Sequence, residues 1–177
     1  VVMWKPIQLQ GYGEGSTTIN ALKSPSNKLE IWRGLVDGLI AGGDIDLLPG
    51  QEVGGGAPEP ATLWTEEGAG ILVLAKMSGP DSPVHDSGKN LYARIDGFTM
   101  KSADTGGGIV VNGYANTLDI SNNRVANNSG FYGGGIRVGH PILTNEAAGG
   151  GLSYTDAEND YVAIHHNQVV FNGGRGG

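Results

Sequence analysis

The stretch Ile120-Ser121-Asn122-Asn123-Arg124-Val125 has two counterparts in the chain, Ile95-Asp96-Gly97-Phe98-Thr99-Met100 and Ile164-His165-His166-Asn167-Gln168-Val169. All three obey one rule: Ile, two polar or small residues, a turn former or aromatic, one polar residue, then an apolar one. A second set alternates with the first: Gly70-Ile71-Leu72-Val73, Gly108-Ile109-Val110-Val111 and Gly135-Ile136-Arg137-Val138. Each repeat therefore carries at least two short strands, and recurrence at a fixed period marks a stacked-repeat architecture. From Ile109 to Ile136 is 27 residues and from Ile95 to Ile120 is 25. At ~3.3 Å per strand residue, that is close to one circuit of a three-sided parallel β-helix. The fold expected is all-β, a solenoid of about four rungs.

Alternation along each strand points Ile109, Val111, Ile136 and Val138 inward and leaves Val110 and Arg137 outward. Aliphatic residues at matched positions then stack rung over rung to form the core. Asn123 aligns with Asn167, and Asn128 with Asn172, at strand ends where the chain must bend. Asn tolerates left-handed backbone, and its amide can pair with the rung above and below, so both columns are expected to form ladders. Gly106-Gly107-Gly108 and Gly133-Gly134-Gly135 recur at the rung period, and neither Lys-Ser/Thr nor a helix start follows them. They read as tight turns and not as a phosphate cradle.

Composition agrees. Of 177 residues 32 are Gly, with no Gly-X-Y period, and 38% are hydrophobic, too many for a disordered chain. No apolar run approaches the ~18 residues of a membrane span. A net charge of -7 disfavours nucleic acid and anionic membrane surfaces. The absence of Cys excludes a disulfide scaffold, a thiolate zinc site and a Cys nucleophile. The chain opens Val1-Val2-Met3-Trp4, with no signal-peptide pattern, and ends Gly173-Gly174-Arg175-Gly176-Gly177, so a piece of a larger or processed protein is expected.

Residues 22–67 interrupt the repeat as a helix-plus-loop insertion. Ser24 is suited to cap a helix with Pro25 at its first position, and Leu29, Trp32, Leu35 or Val36, Leu39 and Ile40 follow at helical spacing. This predicts a helix near residues 25–41, ended by Gly42-Gly43, then a Gly/Pro-rich loop. Two placements stay open: on the outside of the first rung, or over the open end of the stack, where uncovered strands present unpaired backbone groups. At the other end, Asn172-Gly173-Gly174 matches the turn that precedes a Gly-Ile strand. Either a further rung follows, or this edge pairs end to end with another chain.

The stretches Leu9-Gln10-Gly11-Tyr12-Gly13, Ala93 to Thr99, Gly106 to Val111 and Leu118 to Val125 resemble right-handed parallel β-helix proteins, the pectate-lyase-like superfamily. The resemblance covers the first twenty residues and roughly residues 68–177. It implies a right-handed coil, and a superfamily spanning polysaccharide lyases, hydrolases, adhesins and modules of large secreted bacterial proteins. Enzymes of the superfamily use carboxylate-held Ca²⁺ with a basic proton acceptor, or closely set Asp residues. Carried onto this chain, that leaves Asp96 and Asp119 on the exposed face with Arg94 beside them.

Those residues lie in two outward columns, one of Asp96, Ser121 and His165, the other of Arg94, Asp119 and Ala163. With rungs ~4.8 Å apart, Arg94 reaches Asp119. Arg94, Asp96, Asp119 and His165 are the candidate catalytic residues. A nucleophilic triad also needs a base in reach of the Ser oxygen and an oxyanion site. A flat polar face with a surface ion pair is the plainer reading.

Segments 75–92 and 141–160 are insertions at one corner, expected to flank a notch floored by Tyr114. They bring His85 and Asp86, and His140, Glu146, Tyr154, Asp156, Glu158 and Asp160. Tyr114, His140 and Tyr154 are the candidate ligand-binding residues, because aromatic rings beside carboxylates hold sugars. Asp156, Glu158 and Asp160 are the candidate Ca²⁺ ligands, without an EF-hand spacing. His165-His166 is disfavoured as a metal pair, since strand neighbours face opposite ways. The function expected is a non-catalytic structural or adhesive module, extracellular or at the cell surface, that presents a loop-built site to polysaccharide or a surface protein. Ca²⁺ is the one candidate cofactor. The alternative is a polysaccharide lyase or glycoside hydrolase.

Overall fold

A computed structural model describes residues 1–54, 62–77, 93–140, 144–147, 151–154 and 157–174. Most of the regular structure is short strands in three parallel sheets of four. The first sheet holds β1 (Val2–Met3), β4 (Ile71–Val73), β7 (Ile109–Val111) and β11 (Ile136–Val138), in that order. The second holds β2 (Gln8–Gln10), β5 (Ala93–Asp96), β8 (Leu118–Ser121) and β14 (Val162–His165). The third holds β3 (Thr18–Asn20), β6 (Thr99–Lys101), β9 (Arg124–Ala126) and β15 (Gln168–Val170). Each pass of the chain gives one strand to each sheet, so four tiers result. Two smaller pairings join β10 (Ser129–Gly130) with β16 (Gly173–Gly174), parallel, and β12 (Thr144–Ala147) with β13 (Gly151–Tyr154), antiparallel.

The registers put equivalent residues side by side. Leu9, Ile95, Ile120 and Ile164 form one file. Ile19, Met100, Val125 and Val169 form a second, and Ile71, Ile109 and Ile136 a third. Ile71, Ile95, Met100, Ile109, Ile120 and Val125 are all fully buried. Burying each such side chain stabilises the fold by about 1.5–3 kcal/mol. In the fourth tier the same files are open. Ile164 and Val169 are 48% and 46% exposed because β14 and β15 are the outermost strands of their sheets. Val138, expected inward, is 37% exposed for the same reason.

The corners repeat as faithfully as the strands. Gly97, Asn122 and His166 occupy one corner column and Ser102, Asn127 and Phe171 another, all with φ between 53° and 79°. A Cβ on Gly97 would also lie 2.9 Å from the Gly11 carbonyl oxygen. In the third and fourth tiers Asn follows each corner residue. Asn123 Oδ1 accepts the Phe98 N–H at 3.0 Å and Asn167 Oδ1 accepts the Asn123 N–H at 2.9 Å. Asn128 and Asn172 do the same for Ala103 and Asn128. Their Nδ2 groups donate to carbonyls of the preceding tier, including Ile95, Met100, Ile120 and Val125. Each amide thus answers backbone groups at a bend where the strand ladder cannot. Of the Gly triplets, Gly107 supplies a left-handed turn, while Gly108 is a packing residue: a Cβ there would sit 2.2 Å from Val125 Cγ1.

Helix α1 spans Lys28–Ala41. It starts later than the capping pattern predicted. The Ser24–Pro25 peptide is cis, Pro25 lies before the helix, and its carbonyl accepts the Lys28 N–H in a turn. Asn27 takes the position before the first helical residue. Val36 and Leu39 of the helix pack with Ile45, Leu63 and Ala69 against Leu72, Leu74 and Val110. Of the two placements the sequence left open, the helix therefore takes the side, and it centres on β4 and β7 instead of the first tier. Val110 does face away from the interior, but the helix covers it completely. After the helix, Leu48 reaches the inner cluster, and buried Gln51 exchanges two 2.9 Å amide hydrogen bonds with Asn112. Among the described residues no helix is long and apolar enough to cross a membrane.

Candidate functional site

Strand alternation that sends Ile95 and Ile120 inward sends two columns outward from the second sheet. Register places Gln8, Arg94, Asp119 and Ala163 in one, and Gln10, Asp96, Ser121 and His165 in the other. Stacking turns these into a hydrogen-bonded network. Arg94 Nη2 lies 3.3 Å from Asp96 Oδ1, and Arg94 Nε lies 3.5 Å from Asp119 Oδ1. Buried Ser121 donates to Asp119 Oδ1 at 2.5 Å, and its Oγ lies 3.3 Å from Asp96 Oδ1. Asp96 also accepts from Asn122 Nδ2 at 2.6 Å and from Gln10 Nε2. His165 Nε2 lies 2.7 Å from Asp119 Oδ2.

Burial works to raise the pKa of both carboxyls, and in both the network prevails. Hydrogen bonds from Asn122 and Gln10, with the Arg94 charge and Ser121, hold Asp96 below the ordinary carboxylate value. Ser121 and His165, with Arg94, hold Asp119 below it. Both are therefore ionised acceptors at neutral pH. Ser121, Asp119 and His165 do meet, but with the carboxylate in the middle. Ser121 donates its hydrogen bond to Asp119, whereas a triad needs the imidazole between the hydroxyl and the carboxylate.

Beside the network runs an open groove of about 790 Å³, lined by Gln8, Arg94, Asp119 and Ala163 along the column and by Thr117, Leu118, Tyr161 and Val162 at its side. Tyr161 is 74% exposed. No motif marks Tyr161 or Thr117. Their role comes from their place at the entrances of β14 and β8, which only the stacked register brings together.

The proposed notch residues lie elsewhere. Tyr114 is buried with Leu48 and Ala115 in the interior cluster, its φ is 59°, and its N–H donates to the Ala157 carbonyl at 2.7 Å. A left-handed residue in the short turn directs the ring inward, so Tyr114 is a core residue and not a floor. Burial raises its pKa. The His140 side chain is fully buried, with Nε2 3.6 Å from Glu66 Oε1 and its ring 6.0 Å from that of Tyr132. Fully buried Glu66 also pairs with Arg137 of β11. His140 thus belongs to a structural charge cluster beneath the insertion and not to a surface site. Tyr154 falls in β13, opposite Thr144, and its side chain is outside the described residues, as are His85, Asp86 and Asp156. Glu158 and Asp160 are exposed. No group of three or more His, Asp or Glu that could hold a metal ion occurs among the described residues.

His165 and His166 are also arranged differently from expectation. His166 stands in the left-handed corner column with φ 53°, so the two rings converge, with Nδ1 to Nδ1 at 2.8 Å. The signal was present: His166 aligns with Gly97 and Asn122, residue types that tolerate that backbone.

No protein family, curated protein or solved structure matches this chain.

Proposed function

We propose that the chain is a right-handed parallel β-helix module, similar to those of the pectate-lyase-like superfamily, that belongs to an extracellular or cell-surface protein and binds polysaccharide without cleaving it. The site is the groove on the outer face of the second sheet and not a notch between loops. The observation that carries this reading is the exposed Tyr161 ring beside a groove walled by Arg94, Asp119 and Gln8. A sugar offers an apolar face to an aromatic ring and a rim of hydroxyls to donors and acceptors, which is the mixture this groove supplies.

Neutral saccharides fit better than acidic ones. Arg94 is already answered by Asp96 and Asp119, and the chain carries a net charge of -7. The binding reading is favoured over hydrolysis because glycoside hydrolysis needs one protonated carboxyl, and both candidates here are held ionised.

Titration calorimetry against neutral oligosaccharides and polygalacturonate tests this. Expected are binding of a neutral glycan and a loss of about five- to tenfold in Tyr161→Ala, from removal of a stacking contact of roughly 1–1.5 kcal/mol. Binding equally strong in Tyr161→Ala and Arg94→Ala would remove the groove from consideration. Unsaturated products or new reducing ends would establish the enzymatic alternative.

A further inference from the structure

The imidazoles of His165 and His166 meet at the corner between the second and third sheets, nearly perpendicular (84°), with their Nδ1 atoms 2.8 Å apart. We propose that this pair is a chelating site for a divalent transition metal ion of the Cu²⁺ or Ni²⁺ type, with Asp119 as a positioning residue behind it.

The tautomer follows from the neighbours. Asp119 is a carboxylate that already accepts from Ser121 through Oδ1, and its Oδ2, 2.7 Å from His165 Nε2, accepts a hydrogen bond that keeps the ring proton on that nitrogen. A neutral His165 then carries its lone pair on Nδ1. Without metal, His166 Nδ1 donates its proton to that lone pair across 2.8 Å. One proton is shared between the two nitrogens, and a metal ion that binds both of them displaces it to solvent.

Geometry selects the metal. With metal–nitrogen bonds of about 2.0 Å, nitrogens 2.8 Å apart subtend roughly 90° at the ion. That is the cis angle of a tetragonal site, whereas a tetrahedral Zn²⁺ needs its nitrogens farther apart. Imidazole nitrogen suits Cu²⁺ and Ni²⁺. The remaining coordination positions fall to water. His166 borders an open hollow of about 540 Å³ shared with Glu14, Asn122 and Gln168, so there is room for it.

The arrangement is built into the fold. His166 is turned by the same left-handed corner that Gly97 and Asn122 adopt. The next residue, Asn167, is fixed by Nδ2 hydrogen bonds to the Ile120 and His165 carbonyls. Behind the site, a carboxylate that holds the distal nitrogen of a ligating imidazole orients the ring and raises its basicity.

The test uses the full chain and Cu²⁺ alone, in a non-coordinating buffer, read by titration calorimetry and electron paramagnetic resonance. Expected is one Cu²⁺ per chain with hyperfine structure from two imidazole nitrogens. His165→Ala and His166→Ala each weaken binding about tenfold or more and remove one nitrogen from the spectrum. Asp119→Asn weakens it roughly 10- to 100-fold and shifts the copper hyperfine splitting. His85→Ala changes nothing. Unchanged Cu²⁺ affinity in folded His165→Ala and His166→Ala would overturn the assignment. If either variant fails to fold, paramagnetic broadening in the unaltered protein decides: the proposal stands if the His165 and His166 ring protons broaden first and falls if those of His85 do.

Discussion

Val110 and Asp119 occupy equivalent outward positions on the third-tier strands of two neighbouring sheets, and they meet opposite fates. Val110 is fully buried beneath α1, whereas Asp119 stands in an open groove. The difference is written down each column. On the first sheet the outward residues run Val2, Leu72, Val110 and Arg137; on the second they run Gln8, Arg94, Asp119 and Ala163. Parallel stacking makes each outward face a continuous column, apolar from Val2 to Val110 on the first sheet and polar from Gln8 to Asp119 on the second, and each is covered or solvated accordingly. The insertion sits where water would otherwise meet Leu72 and Val110, and the polar face is left open to solvent.

The largest break in this contrast is expected at Glu66, which joins the cover to the sheet beneath it. Glu66→Ala leaves Arg137, only 13% exposed at its side chain, without its carboxylate. Removing one partner of a buried ion pair costs about 3–5 kcal/mol, and denaturant unfolding should show a loss of that size. A loss near zero would mean that the cover does not depend on this contact. Next comes a matched pair. Leu72→Ala under the helix should cost about 2–5 kcal/mol, while Gln8→Ala on the open face stays within about 0.5 kcal/mol. Equal costs at the two positions would abolish the distinction between covered and open faces.

How much of this was legible followed from how local its cause is. The files through Ile95, Ile120 and Ile164 could be read because neighbouring tiers place equivalent residues in equivalent surroundings, which preserves their type. The Asn columns were legible for the same reason: each sits at the same bend and answers the same backbone groups. Val110 was correctly read as outward, but no property of its own strand revealed the helix that covers it. Tyr114 and His140 were misread because their environment comes from elsewhere, Leu48 for the first and Glu66 for the second, both supplied by the insertion. The start of α1 was misread because Ser24-Pro25 has a helix-opening composition, while the chain makes a turn there first. Tyr161 carried no signal, since an exposed aromatic acquires meaning only from the groove beside it.

A smaller effect separates the two faces by their response to acid. Hydrogen bonds from Asn122 and Gln10, together with the Arg94 charge, place the folded-state pKa of Asp96 below its value in the unfolded chain, about 3.9. The unfolded state therefore takes up the proton first as the pH falls. The stability that Asp96 contributes is complete above its unfolded value and is lost as the pH drops through the folded one. Asp96→Asn should thus be less stable than the unaltered protein at pH 7, with the gap narrowing below about pH 4. Leu72→Ala provides the contrast, because removing apolar contacts beneath α1 has no proton to lose and its gap should stay constant over the same range. Denaturant unfolding of both variants at pH 7 and pH 3 measures the two gaps. A gap for Asp96→Asn that widens on acidification would mean that the carboxylate is destabilised, and not held, by its neighbours on the open face.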